Sequence, residues 1–116
     1  MGDRALIQLK SGEEVSPVLY LHWGGSGVAE IIEATKQRMA GRHADIEYAF
    51  ARLVQQAIGT DRHNTGFGVI NQSTELTIAD SQGDAGCFVV DASTGAWNIS
   101  AFGGYGLARA SAAVEA

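Results

Sequence analysis

Two hydrophobic periods alternate along this chain. From Arg4 to Lys10, Ala5, Ile7 and Leu9 fall on one side and Leu6, Gln8 and Lys10 on the other, the period of a β-strand. Ser11-Gly12-Glu13-Glu14 supplies turn chemistry. A second strand is predicted from about Val18 to Trp23, with Pro17, which has no N–H to give a ladder, at its beginning or on an edge. Beyond Gly24-Gly25-Ser26-Gly27 the period lengthens to 3.6. Val28, Ile31, Ile32, Thr35 and Met39 share one helical face, with Ser26 as N-cap and Gly41 as terminator. A second helix is predicted from near Asp45 to Ile58, burying Ile46, Ala49, Phe50, Leu53, Ala57 and Ile58, with Gly59 to end it.

The second half returns to short strands. Phe67, Val69 and Asn71 alternate with Gly68, Ile70 and Gln72; Glu75 to Asp80 offers a further strand with Leu76 and Ile78 inward; Cys87 to Asp91 reads as a central strand. Asp91-Ala92-Ser93-Thr94-Gly95 suits a hairpin loop, after which Trp97, Ile99 and Ala101 alternate with Asn98, Ser100 and Phe102. The order ββααββββ predicts an α+β fold: an antiparallel sheet of about five to six strands with two consecutive helices packed on one face. Residues 1–106 form the single domain and 107–116 an Ala-rich tail predicted to fray. On the second strand, Leu19, Leu21 and Trp23 share one side and Val18, Tyr20 and His22 the other, so helices on the leucine side leave Tyr20 and His22 facing outward.

Composition excludes more than it identifies. With 46% apolar residues in 116 the chain has enough to bury a core, and no stretch approaches a membrane span. The net charge of −5 and the lack of any basic run argue against direct binding to nucleic acid. One cysteine, Cys87, allows no internal disulfide and fits a reducing cytoplasm; in its apolar run it reads as a small core residue.

Candidate chemistry lies at the junctions. In His22-Trp23-Gly24-Gly25-Ser26-Gly27 a strand runs into a helix N-terminus, where the amides of Gly25 and Ser26 suit an anion. The segment is neither a Walker A loop nor a complete Gly-x-Gly-x-x-Gly, and Glu30 stands where a third glycine belongs; a tight turn with Trp23 in the core is the plainer reading. The loop Asp61 to Gly68 carries Arg62, His63 and Asn64, able to hold phosphate or carboxylate or to act as a solvated connector. Tyr20 and His22, joined by Asn98, Ser100 and Phe102 if those strands are neighbours, would form an outer face for a stacked base, a protein partner or a second copy of the chain. The glycine loops Gly83–Gly86 and Gly103–Gly106 read as hairpin turns that could fold over a ligand. No nucleophile elbow, no Cys-x-x-Cys and no histidine pair at helical spacing appears, so neither catalytic nor metal-ligating residues nor a cofactor are assigned.

Met1-Gly2-Asp3-Arg4-Ala5, Leu19-Tyr20-Leu21-His22-Trp23-Gly24-Gly25 and Gly59-Thr60 with Thr65-Gly66-Phe67-Gly68 resemble a family of small uncharacterised proteins of phages and bacterial mobile elements. The likeness covers about the first 70 residues and, more loosely, the Val89-Val90-Asp91 strand. It implies the topology and a mobile-element origin, and no activity. The leading expectation is a non-catalytic counter-defence protein of the bacterial host's cytoplasm that occupies a host defence protein, as anti-CRISPR proteins do. The alternatives are a sponge for a small anionic nucleotide and a small nucleotide hydrolase.

Overall fold

In the computed structural model, residues 2–59, 63 and 65–107 are described. The order is β1 (Ala5–Ser11), β2 (Glu14–Leu21), a 3-10 turn (Gly25–Gly27), α1 (Val28–Gln37), α2 (Ile46–Ile58), β3 (Phe67–Ile70), a 3-10 turn (Ile78–Asp80), β4 (Gly86–Asp91) and β5 (Asn98–Phe102). The α+β class holds. The sheet has five strands in the order β3-β2-β1-β4-β5, and it is mixed rather than wholly antiparallel, because β1 and β4 run parallel. The excursion from β2 through both helices to β3, and on to β4, lets the chain re-enter beside β1 in the same direction.

The residues assigned to a strand at Glu75–Asp80 instead form an irregular segment ending in a 3-10 turn. Thr77 and Asp80 close a capping box, which competes with a ladder for the same backbone amides. Leu76 is buried as expected, but Ile78 is 72% exposed. Pro17 lies within β2, where the register slips opposite Leu9; Ser16 Oγ accepts the Leu9 N–H at 2.9 Å, so the side chain substitutes for the bulged ladder. Ser26 does not cap α1, whose N-cap is Gly27. Trp97 precedes β5 in a left-handed conformation (φ 55°) and reaches the core with its indole N–H on the His43 carbonyl at 3.2 Å.

Two cores sandwich the sheet. The larger joins Ile7, Leu9, Leu19, Leu21, Phe88 and Val90 to Val28, Ile32, Ala49 and Leu53 of the helices. The smaller, on the opposite face, gathers Leu6, Val18, Cys87 and Val89 beneath Leu76, with Tyr20 and Phe102 at its margins. Gln8 makes this second core. Fully buried, it donates to the carbonyls of Ser16 and Thr74, each at 3.0 Å, and accepts the Leu76 N–H at 2.9 Å, pinning the 71–85 segment across the sheet. Leu107, assigned to the tail, packs partly on the main core; residues 108–116 lie outside the described residues.

Candidate functional site

One end of the sheet collects the starts of β1, β3 and β4 and the ends of β2 and β5. The segments beyond those strands are bound together there. Asp3 is the hub. Its N–H donates to the His22 carbonyl at 2.8 Å, and its own carbonyl accepts the Gly25 N–H at 2.8 Å. One carboxylate oxygen accepts the Ser26 N–H at 3.0 Å and the other the Tyr105 hydroxyl at 2.6 Å. The amides of Gly25 and Ser26, the donors an anion would use at this turn, are therefore both taken by Asp3, the first by its backbone carbonyl and the second by its carboxylate. Gly25 is required by space: a methyl group there would lie 2.7 Å from both Ala85 Cβ and the Asp3 carbonyl.

Beside this hub, Asp84 accepts both the backbone N–H of Arg4 at 3.1 Å and its Nε–H at 3.0 Å. Those two bonds, the backbone one foremost, hold the Asp84 carboxyl below the usual aspartate range, with His22 close enough to add to the effect.

Tyr20, His22 and Trp23 form a ladder of rings on the same end. The Tyr20 hydroxyl and His22 Nδ1 share a hydrogen bond at 2.9 Å, and the His22 and Trp23 rings meet edge to face with centroids 4.7 Å apart. Tyr20 and His22 are half-buried, whereas Trp23 is 54% exposed and is not the core residue that a tight turn would make it. β2 ends at Leu21, so Trp23 lies beyond the strand alternation that would carry its indole inward, and Gly24, at φ 86°, turns the chain directly after it. The ring is thus presented outward from a braced position.

Other sequence candidates are placed differently. Asn98, Ser100 and Phe102 lie on β5, separated from Tyr20 by β1 and β4: across the sheet the row reads Tyr20, Leu6, Cys87, Phe102. His63 is exposed on the loop whose Gly66 carbonyl accepts the His22 N–H at 2.9 Å; Arg62 and Asn64 lie outside the described residues. Burial, with a smaller contribution from Asp80, pushes the Cys87 thiol up, away from the thiolate a nucleophile needs. Among the described residues no group of three His, Cys, Asp or Glu side chains could hold a metal ion, and no helix is long and apolar enough to cross a membrane.

The sequence does not single out Asp3 or Arg4, and it offers Asp84 and Tyr105 only as members of the glycine loops Gly83–Gly86 and Gly103–Gly106. The available signal was the crowding of glycines, since Gly25, Gly86 and Gly104 each sit where a Cβ would strike the backbone of another segment. An open groove of about 550 Å³ lies at the opposite end between Gly41–Asp45 and Ser93–Gly95. Within it Arg42 is engaged on Asp45 and over the Tyr48 ring, and Ser93 on Asp91. Comparison of the chain with protein-family models, with characterised proteins and with solved structures returned no match.

Proposed function

We propose that this chain is a non-catalytic binding protein that occupies a partner protein, with Trp23 as the anchor of the contact. The exposed Trp23 ring, backed by His22 and Tyr20, is the observation that carries the reading. A braced indole loses little conformational freedom on docking, and buried tryptophans surrounded by polar groups dominate protein interfaces. Arg4 and Asp84 at the same end of the sheet supply such polar groups. The mobile-element resemblance makes a host defence protein the partner class, and the role that of a counter-defence inhibitor.

The nucleotide-sponge reading loses its best feature, because the turn amides are already bonded to Asp3 and a second anion would meet that carboxylate. The test compares capture of defence complexes from a bacterial lysate by the wild-type chain, Trp23→Ala and Arg62→Ala. Trp23→Ala is expected to cost about 2 kcal/mol or more, roughly a thirtyfold loss of affinity, with Arg62→Ala near wild type. Thermal unfolding against a panel of cyclic dinucleotides and ADP-ribose derivatives gives the opposing result: a midpoint rise that Arg62→Ala removes would replace this reading with the sponge.

A further inference from the structure

We infer that β3 is the contact through which two copies of this chain pair, edge to edge and antiparallel, about a twofold axis at Gly68. The His22 N–H donates to the Gly66 carbonyl, which sets the phase of the β2–β3 ladder: Gly68 and Ile70 turn their backbone groups toward β2, and Phe67 and Val69 turn theirs outward. Among the described residues no strand covers that outer edge. Of the features that keep sheet edges apart it has only its shortness, four residues: Thr65 to Gln72 contains no charged residue, no proline and no bulge. Val69 and Ile70 are apolar and exposed, at 55% and 37%.

The geometry favours a second copy because the edge complements itself. With the axis at Gly68, Phe67 of each copy faces Val69 of the other, so both outward N–H groups and both outward carbonyls of each strand find partners in one register. Each facing pair sets an aromatic against a β-branched side chain, a favourable cross-strand combination. Gly68 meets Gly68 at the axis, and open space surrounds its missing Cβ. A symmetric contact sets every charge near its axis against a like charge. For a chain of net charge −5 a neutral strip is a favourable place for two copies to meet, and this edge is one. A contact of this size gives reversible association rather than a permanent dimer.

Sedimentation velocity over a concentration series up to about 1 mM tests the pairing. The wild-type mass is expected to rise from 12.2 kDa toward twice that value as concentration increases. Val69→Pro removes an outward N–H and leaves the β2 ladder intact, and Val69→Lys places charges near the axis; both are expected to stay at the monomer mass with unchanged circular dichroism. Ile78→Lys, which removes the most exposed apolar side chain elsewhere, and Trp23→Ala are expected to associate as wild type. The Phe67 and Val69 amides should become protected from hydrogen exchange as association proceeds, while Gly68 and Ile70 are protected throughout. A wild-type chain that remains monomeric across the series, or association that survives both Val69 variants, overturns the inference. Because Trp23→Ala is expected to keep the pairing, either failure leaves the partner-binding role of Trp23 untouched.

Discussion

Gly25 and Gly27 stand two residues apart in one turn, yet they answer to different demands. A Cβ on Gly25 would lie 2.7 Å from Ala85 Cβ and from the Asp3 carbonyl, whereas at Gly27 the nearest atom is Glu30 Oε2 at 3.9 Å. Gly25→Ala is therefore expected to destabilise the fold by about 1–3 kcal/mol, the usual cost of overpacking, and Gly27→Ala to leave it within about 0.5 kcal/mol. Urea unfolding of the two variants reads the difference directly. Asp3 has the same structural character. Asp3→Ala strips the acceptor from the Ser26 amide and removes the Tyr105 hydroxyl's bond in a half-buried hub, and is expected to cost roughly 1–3 kcal/mol. If added phosphate stabilises Asp3→Ala but not the wild-type chain, the turn is an anion cradle that the protein fills with its own carboxylate.

Among the elements, the one least expected is the irregular 71–85 segment that closes the second face of the sheet. Its attachment rests largely on Gln8, whose amide is used at both ends. Gln8→Ala should loosen the segment, and Cys87 is the natural reporter because it lies fully buried in the core beneath it. Thiol labelling of the native wild-type chain is expected to be slow, limited by burial and a raised pKa, and to accelerate about tenfold or more in Gln8→Ala as local opening becomes easier. Equal rates in the two proteins would show that the segment is held by something other than this side chain.

That segment also marks where the sequence stops being readable. Both helices, the hairpin and the β4 strand follow from local periodicity, and the residues expected to face inward on the two helices are buried or pack against the main core, with the exception of Ile58. Gln8, by contrast, alternates with apolar residues like any solvent-facing position. Nothing local shows that Thr74 and Leu76, 66 and 68 residues away, will bury it. The parallel pairing of β1 with β4 is hidden for the same reason, since periodicity reports the face of a strand and not its neighbour. At the candidate site, Tyr20 and His22 were legible as an outward-facing pair, while the Asp3 hub depends on contacts spanning 23 and 102 residues.

For the whole molecule, joining its ends to its middle is a matter of charge as well as packing. The Arg4–Asp84 pair ties the start of β1 to the loop before β4, and Asp84 is held below its ordinary range chiefly by the Arg4 N–H and guanidinium. Asp91 is lowered too, by the hydroxyl and N–H of Ser93. A carboxyl whose pKa is lower in the folded state than in the unfolded chain stabilises the fold fully above its unfolded value. That contribution disappears as the pH falls through the folded value, where both states bind the proton. The melting temperature is accordingly expected to be flat near neutrality with respect to these groups and to fall on the acid side of the ordinary aspartate range. Asp84→Asn should lower the midpoint at neutral pH and flatten its acid decline, so that the wild-type and variant curves converge as the pH drops. Both carboxyls are well solvated, so salt should shrink the gap between the curves. Curves that stay parallel down to the acid transition would mean that Asp84 acts as a neutral acceptor for the Arg4 N–H and that its charge contributes nothing to closing this end of the sheet.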